Sequence, residues 1–345
     1  MIKVGMRSLA TSVKAQGVGS AYEEMIHLLA EYGKDEIEIL RHGLTRSDVI
    51  HFHTLDPVSF LRMKLTRKPT IASVHFVPDT MKGSLRLPKP IQRLFDGYTL
   101  FFYRSADYLH IVHPDTADIL EKYGIDKKRV FFIPNVVSGK GFTRKNPAER
   151  AEIRRRYGYR NSDFVVIGSG QLQTRKGIDT FAQVARKMPD TKFVWAGGFS
   201  FGALSDGYPE LKSLLKNPPD NLVFTGIVMR EEVCDLLNAA DLFFLPSYNE
   251  QFSMSILEAA ATGTPVLLRD LPSYRTVYAE RYLCGSTVND FVGIIRELQG
   301  DRERLKHMTR LSGEISEMYS GQRTYEMWKA AYARCAGGVS EEASI

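Results

Sequence analysis

The feature that most narrows the choice of fold is a rhythm. Short apolar runs rich in Val, Ile and Phe alternate with stretches of helical period, and the alternation is played twice along the chain. Strands are predicted at 2–5, 36–40, 48–53, 70–75, 108–112 and 129–133, and again at 163–168, 192–197, 221–226, 241–245, 264–269 and 281–284. Runs such as "DFVVIG", "KFVWAG" and "DLFFLP" are too short for helices and apolar on both sides. That is the pattern of parallel strands buried between helical layers. Alternating β and α elements predict two doubly wound, Rossmann-like α/β domains. The 345 residues are also more than one hydrophobic core usually serves.

Between the two series lies "SGKGFTRKNPAERAEIRRRYGYRNSD", polar, basic and punctuated by Gly and Pro. It reads as the interdomain linker, with a short helix at "AERAEIRRRYG". Near the end, "TYEMWKAAYARCAG" has helical period and one apolar face. A formal charge of +6 points to an anionic partner: nucleic acid, an acidic membrane or a phosphorylated ligand. The chain lacks the interleaved base-stacking aromatics of a DNA or RNA module, so no nucleic-acid partner is expected. Cys234, Cys284 and Cys335 are far apart and show no CxxC or His/Cys metal spacing. They fit a reduced cytosolic compartment, and no metal site is expected. The N-terminus lacks a signal peptide's apolar core, and no apolar run is long enough to span a bilayer, so any membrane contact is expected at the surface.

Two acids stand out in "PSYNEQFSMSILEAAATGTPV". Glu250 follows the strand "ADLFFLPS", at the carboxyl end where open parallel sheets bind ligands. Glu258 falls eight positions later on an Ala-rich helix stopped by Gly263 and Pro265. Amides at Ser253, Met254 and Ser255 open that helix and suit a phosphate. Ser255 to Glu258 also has the spacing of a helix capping box, and Glu250 alone reads equally as a solvated loop acid. A second loop, "VVIGSGQLQTRKGIDT", brings Gly168 and Gly170 to a turn and Arg175 and Lys176 to a helix start. There the helix dipole adds to the cations' pull on an anion. The loop is neither a Walker A sequence nor a full G-x-G-x-x-G fingerprint.

The ordered set of strand, Pro-Ser, Glu250, seven residues, Glu258 and Gly-Thr-Pro-Val resembles the E-x7-E signature of the retaining GT-B glycosyltransferases of family GT4. The resemblance covers most of the chain. It implies a GT-B fold, two Rossmann-like domains facing across a cleft. Residues 1–145 would form an acceptor- and membrane-binding domain and 146–312 a nucleotide-sugar-binding domain. Residues 313–345 would form a helical segment crossing back to the first domain. By the family's pattern Glu250 contacts the donor sugar, with Gln251, Phe252, Ser253, Met254 and Ser255 beside it, and Glu258 holds the ribose. Lys176 matches the family lysine on the donor diphosphate. The usual arginine is replaced by Gln171, and Arg175 is the candidate to supply the missing charge. Gly17 and Gly19 in "KAQGVGSAYEEM" match a loop that approaches the diphosphate, and His75 in "TIASVHF" a histidine near the donor sugar. Gln251 and Ser253 stand where the family often has Gly, and His113 where it often has Ser; Asn135 is a further cleft candidate, while His51 and His53 read as structural. Glu250, His75 and Lys176 are thus the expected catalytic residues, with UDP-glucose or UDP-galactose as donor and no divalent metal.

Residues 62–93 hold eight Lys/Arg (Arg62, Lys64, Arg67, Lys68, Lys82, Arg86, Lys89, Arg93) and one acid. In "PIQRLFDGYTLFFYRSAD" the residues Ile91, Leu94, Phe95, Tyr98 and Phe102 share a helical face. Basic residues flanking such a face suit an anionic membrane surface, and equally an ordinary core-facing helix. The chain's length, its basic first domain and "KAQGVGSAYEE" are similar to bacterial diglycosyldiacylglycerol synthases. That implies a peripheral enzyme at the cytoplasmic face of the membrane that adds a second hexose to a glycolipid acceptor, monoglucosyldiacylglycerol. A soluble sugar or glycan acceptor is the alternative.

Overall fold

The computed structural model describes residues 1–9, 17–41, 46–80, 88–137 and 141–337. The first half runs β1 (Ile2–Arg7), α1 (Gly17–Tyr32), β2 (Ile37–Leu40), β3 (Val49–Phe52), α2 (Pro57–Leu65), β4 (Thr70–Val74), α3 (Lys89–Ser105), β5 (Tyr108–Ile111), α4 (Thr116–Lys122) and β6 (Val130–Phe132). The second runs α5 (Pro147–Arg156), β7 (Val165–Ser169), α6 (Ile178–Lys187), β8 (Lys192–Ala196), α7 (Tyr208–Lys216), β9 (Leu222–Gly226), α8 (Arg230–Ala239), β10 (Leu242–Leu245), α9 (Met254–Ala261), β11 (Val266–Arg269), α10 (Pro272–Tyr278), β12 (Leu283–Gly285), α11 (Val288–Gly300) and α12 (Arg302–Met318). A last helix, α13 (Gly321–Cys335), follows.

Each half is a six-stranded parallel sheet, ordered β2-β1-β3-β4-β5-β6 in the first and β12-β11-β10-β7-β8-β9 in the second. Every predicted strand is present, because runs apolar on both faces have nowhere to go but the middle of a layered sheet: β3, β4, β7 and β10 are buried along their whole length. The two orders place a reversal of strand direction of travel between β1 and β3 in one half and between β7 and β10 in the other. At such a reversal the loops leaving the carboxyl ends diverge and open a crevice.

The basic stretch read as a linker is, from Gly141 on, folded against the second half. Asn146 and Glu149 form a capping box on α5. Buried Arg154 donates to the carbonyls of Ala239 (2.7 Å), Arg160 (2.8 Å) and Asp163 (2.6 Å) and to the Asp241 carboxylate (3.2 Å). Four acceptors on its two Nη atoms offset much of the cost of burying this guanidinium. Helix α12 packs on α9 and carries the second half to Met318. Helix α13 then lies on the first half, where Tyr325, Trp328 and Tyr332 join the core of β1 and α1.

Candidate active site

Of the two E-x7-E acids of the second half Glu258 is buried and Glu250 nearly so, and they are held differently. Glu250 leaves β10 and meets the loop after β7. Its carboxylate pairs with Lys176 Nζ and lies 3.3 Å from Arg175 Nη1. Gly177 makes the approach possible. It has φ +70°, and a Cβ there would sit 2.1 Å from the Pro246 carbonyl oxygen, so only glycine lets the two loops touch. The Tyr248 amide then donates to the Arg175 carbonyl at 2.7 Å, tying them together. Burial alone would raise the Glu250 carboxyl, but the Lys176 and Arg175 charges outweigh it and hold the group below its usual value. Burial lowers Lys176, and Glu250 opposes that shift. Gly170 has φ +144°, and a Cβ there would sit 3.5 Å from Lys176 Cε. Gly168 does not turn the chain: it sits inside β7, where a Cβ would meet the Trp195 ring at 2.5 Å.

Glu258 projects from α9 with no capping role; Ser253 is the N-cap and makes no side-chain cap bond. Its Oε1 is 3.7 Å from Arg230 Nη2, which also bonds Glu24 of α1. Burial pushes the Glu258 carboxyl up to about 7, with Arg230 lowering it and Glu24 raising it. At neutral pH Glu250 is therefore an anion, while Glu258 is about half ionised.

The first half answers with uncharged groups. His75 follows β4, and its Nε2 is buried without a partner. Burial, helped by His110, lowers it to about 3. Behind it stands a histidine network whose tautomers follow from one carbonyl. His110 Nε2 reaches the Ile133 oxygen at 2.9 Å, so it carries the proton. Its Nδ1 must then accept, and the Ser73 hydroxyl donates to it (3.0 Å). Ser73 Oγ is left to accept from His51 Nε2 (2.9 Å) and His53 Nδ1 (3.2 Å). His51 Nδ1 accepts from the Tyr332 hydroxyl of α13 at 2.9 Å. His53 Nε2 ends the chain as a bare lone pair. It borders a cavity of about 20 Å³ with His75, His110, Asn135 and Trp328, room for one water or one hydroxyl. His51 and His53 were read as structural. They are core residues, yet they fix what the cavity offers.

This geometry sits among known proteins as follows. The profile of glycosyl transferases group 1 matches residues 149–312, and that of glycosyltransferase family 4 matches residues 22–138. The α-galactosylglucosyldiacylglycerol synthase of Streptococcus pneumoniae is 37% identical over 96% of this chain and 90% of its own length. The processive diacylglycerol α-glucosyltransferase of Acholeplasma laidlawii is 27% identical over 76% of each. The chain belongs to the family 4 glycosyltransferases. Its fold is GT-B: the crystal structure of Anabaena HepE in complex with UDP and glucose superposes with a TM-score of 0.77, at 14% identity over 96% of this chain and 99% of that one.

In this glycosyltransferase the remaining candidates fall into four groups. Gln251 and Asn135 clamp the halves: Gln251 Nε2 donates to Thr116 Oγ1 at 3.3 Å, and Asn135 Nδ2 to the Phe252 carbonyl at 3.2 Å. His113 does likewise, through Nε2 to the Ser273 carbonyl at 2.9 Å. Phe252 turns into the core against Tyr278 and Tyr319. Met254, Ser253 and Ser255 are buried, the two hydroxyls 2.9 Å apart. Gly17 and Gly19 are not in a loop but in the first turn of α1.

The basic candidates of the first half form a ledge. Arg62, Lys64, Arg67, Lys68, Lys89 and Arg93 are exposed; Lys82 and Arg86 lie outside the described residues. Beside them Val58, Leu61 and Leu65 of α2 and Ile91, Leu94 and Phe101 of α3 face outward, Leu65 at 74% and Leu94 at 77% exposure. Lys64 Nζ spans the helices, 5.8 Å from the Phe60 ring and 5.5 Å from that of Phe101. The apolar face of α3 divides along its length. Phe102 is in the core and Tyr98 bonds the Leu55 carbonyl (2.8 Å), while Ile91 and Leu94 are exposed.

Sequence reasoning missed Glu24, Arg230 and Ser73. Only Glu24 left a trace, as a carboxylate set among the apolar positions Tyr22, Met25 and Ile26 of an amphipathic helix.

Proposed function

We propose that this glycosyltransferase moves a hexose from UDP-glucose or UDP-galactose, with retention of the α configuration, to a glycolipid at an anionic membrane surface. The acceptor is monoglucosyldiacylglycerol and the product an α-linked diglycosyldiacylglycerol. The observation that carries the acceptor side is the ledge of α2 and α3: six exposed apolar side chains among six exposed cations. Among the described residues none of those cations has a carboxylate partner. Each would contribute on the order of 1 kcal/mol near anionic lipid, and the apolar residues suit shallow insertion beside the headgroups. Among the described residues no helix is long and apolar enough to cross a membrane, so the reading is of peripheral attachment at the cytoplasmic face. The names of the two relatives, both diacylglycerol-lipid glycosyltransferases, support the same acceptor class.

In this reading Lys176 and Arg175 grip the diphosphate, Glu250 accepts from the sugar hydroxyls, Glu258 holds the ribose, and His75, neutral, lines the sugar from the opposite half. The bond from the anomeric carbon to the phosphate oxygen breaks, and a bond to the acceptor oxygen forms on the same face. The acceptor's proton passes to the departing phosphate oxygen, and UDP leaves. Negative charge grows on the diphosphate, where two fixed cations in a buried loop stabilise it without reorganising. That charge is what a divalent metal would otherwise supply, and turnover in EDTA is the expected result. Cross-cleft contacts keep water from competing.

The test is UDP release from each donor, with and without monoglucosyldiacylglycerol in anionic vesicles. Lipid-dependent turnover is expected, with the faster donor naming the product. Tight UDP binding without lipid-dependent turnover would leave the donor site standing and reject this acceptor; turnover on a soluble glycan would replace it.

A further inference from the structure

One guanidinium joins three parts of the molecule that no motif connects. Arg230 is the first residue of α8 in the second half. Its Nη2 bonds the carboxylate of Glu24, from α1 of the first half, and lies 3.7 Å from Glu258 Oε1. The guanidinium carbon stands 5.0 Å from the Phe142 ring centre, in the segment that joins the halves. Both carboxylates are nearly buried, with side chains 5% and 10% exposed. A buried carboxylate keeps its charge only when paired. Here one guanidinium touches both, and the nearer of the two is in the opposite half. What Arg230 gives Glu258 therefore depends on where Glu24 stands.

We propose that Arg230 is a positioning residue that links the ribose carboxylate Glu258 to Glu24 of the first half, so that the grip on the donor's nucleoside is coupled to the arrangement of the two halves. The inference rests on the reading of Glu258 as the ribose ligand. Arg230 reaches no reacting atom; it acts by favouring the ionised form of Glu258 and aiming it. A hydrogen bond from a ribose hydroxyl to a carboxylate is charge-assisted, and one to a neutral acid is not. Without Arg230, Glu258 takes up a proton and the ribose preference fades. Without the charge of Glu24, Arg230 turns wholly to Glu258. The ribose is then held as well or better, but the first half loses its tie.

Calorimetry with UDP and with 2′,3′-dideoxy-UDP separates the parts. The unaltered enzyme is expected to prefer UDP by about tenfold to a hundredfold, the range for hydrogen bonds to a charged group. Arg230→Gln should shrink that preference at least severalfold, and Arg230→Lys should restore most of it. Glu24→Gln should keep the preference while lowering kcat, with the KM for the donor unchanged or reduced. A merely structural role would move kcat and KM without touching the ribose preference. If the unaltered enzyme does not distinguish the two nucleotides, the ribose reading falls and this inference with it. If it does, and Arg230→Gln distinguishes them equally, the ribose reading stands and the link is overturned. Should Arg230→Gln fail to fold, Glu24→Gln decides: loss of the ribose preference with kcat intact overturns the proposal.

Discussion

The two halves open crevices at the same place in their sheets and fill them with opposite chemistry. At the β7/β10 reversal stand Arg175, Lys176 and an ionised Glu250. At the β1/β3 reversal stand His53 and, one strand over, His75, with His110 and His51 behind, all held neutral by burial. The difference teaches how one architecture could divide a group transfer. On the function proposed above, charge develops on the leaving diphosphate, and the side assigned to it is built from ions. The sugar and acceptor carry hydroxyls, and the side assigned to them is built from uncharged groups whose donor and acceptor roles are fixed by a relay.

Removing charge from the ionic side should break the comparison most severely. On the proposed reading Lys176→Met takes away a preorganised stabiliser of the leaving group, for which losses of about 10² to 10³ in turnover are typical. Steady-state kcat/KM checks this, with near-ultraviolet circular dichroism to confirm folding, since Glu250 would keep only Arg175 at 3.3 Å. A loss below fivefold in a folded variant would mean that the diphosphate is held elsewhere.

Glu250→Gln sharpens the contrast. The carboxylate now sits on the two cations that the diphosphate needs, so it competes with the ligand it helps to bind. Removing its charge should leave UDP affinity unchanged or raise it. Turnover should fall about tenfold to a hundredfold, the worth of hydrogen bonds to a charged acceptor. Parallel loss of UDP affinity and kcat would show that Glu250 holds the cations in place instead of the sugar.

The ionic side was legible in the sequence and the neutral side largely was not. Glu250, Glu258, Arg175 and Lys176 fall within two short segments, each at a strand's carboxyl end, and Gly177 marks the turn that brings them together. The histidine relay draws on β3, β4, β5 and α13, so its members are up to 281 residues apart, as with His51 and Tyr332. No local pattern carries such a spacing. Arg230 and Glu24 are 206 residues apart and belong to different halves. The ledge was legible as charge but not as shape: the helical period of α3 gives one apolar face, and only its packing in the fold decides that Phe102 is buried and Leu94 is not. Strands read well for the opposite reason, since each records its own burial in its own residues.

The mildest test sets the two crevices against each other by pH. Glu258 has a pKa of about 7 in the folded chain against 4.5 when unperturbed. Between those values the folded protein holds a proton that the unfolded chain has lost, so this group's contribution to stability declines as pH rises from about 4.5 to about 7. His75 and His110 are lowered from 6.5 to about 3 and about 4. There the unfolded chain holds the proton, and stability declines as pH falls from 6.5, by up to roughly 1.4 kcal/mol per pH unit for each such group. The chain's two tryptophans report separately: Trp195 lies in β8, and Trp328 of α13 packs on His51 and His110 at 5.2 and 4.5 Å between ring centres. Acid titration of the Trp195→Phe and Trp328→Phe variants should show the first half loosening at the higher pH. UDP-hexose, whose diphosphate does not titrate here, should bind about tenfold more tightly at pH 8 than at pH 6, following ionisation of an acid near 7. Arg230, Glu24 and Lys176 are the charges that set this midpoint, so Glu24→Gln should move it down. A flat affinity across that window would remove Glu258 from the donor site, and simultaneous loosening of both halves would dissolve the contrast between them.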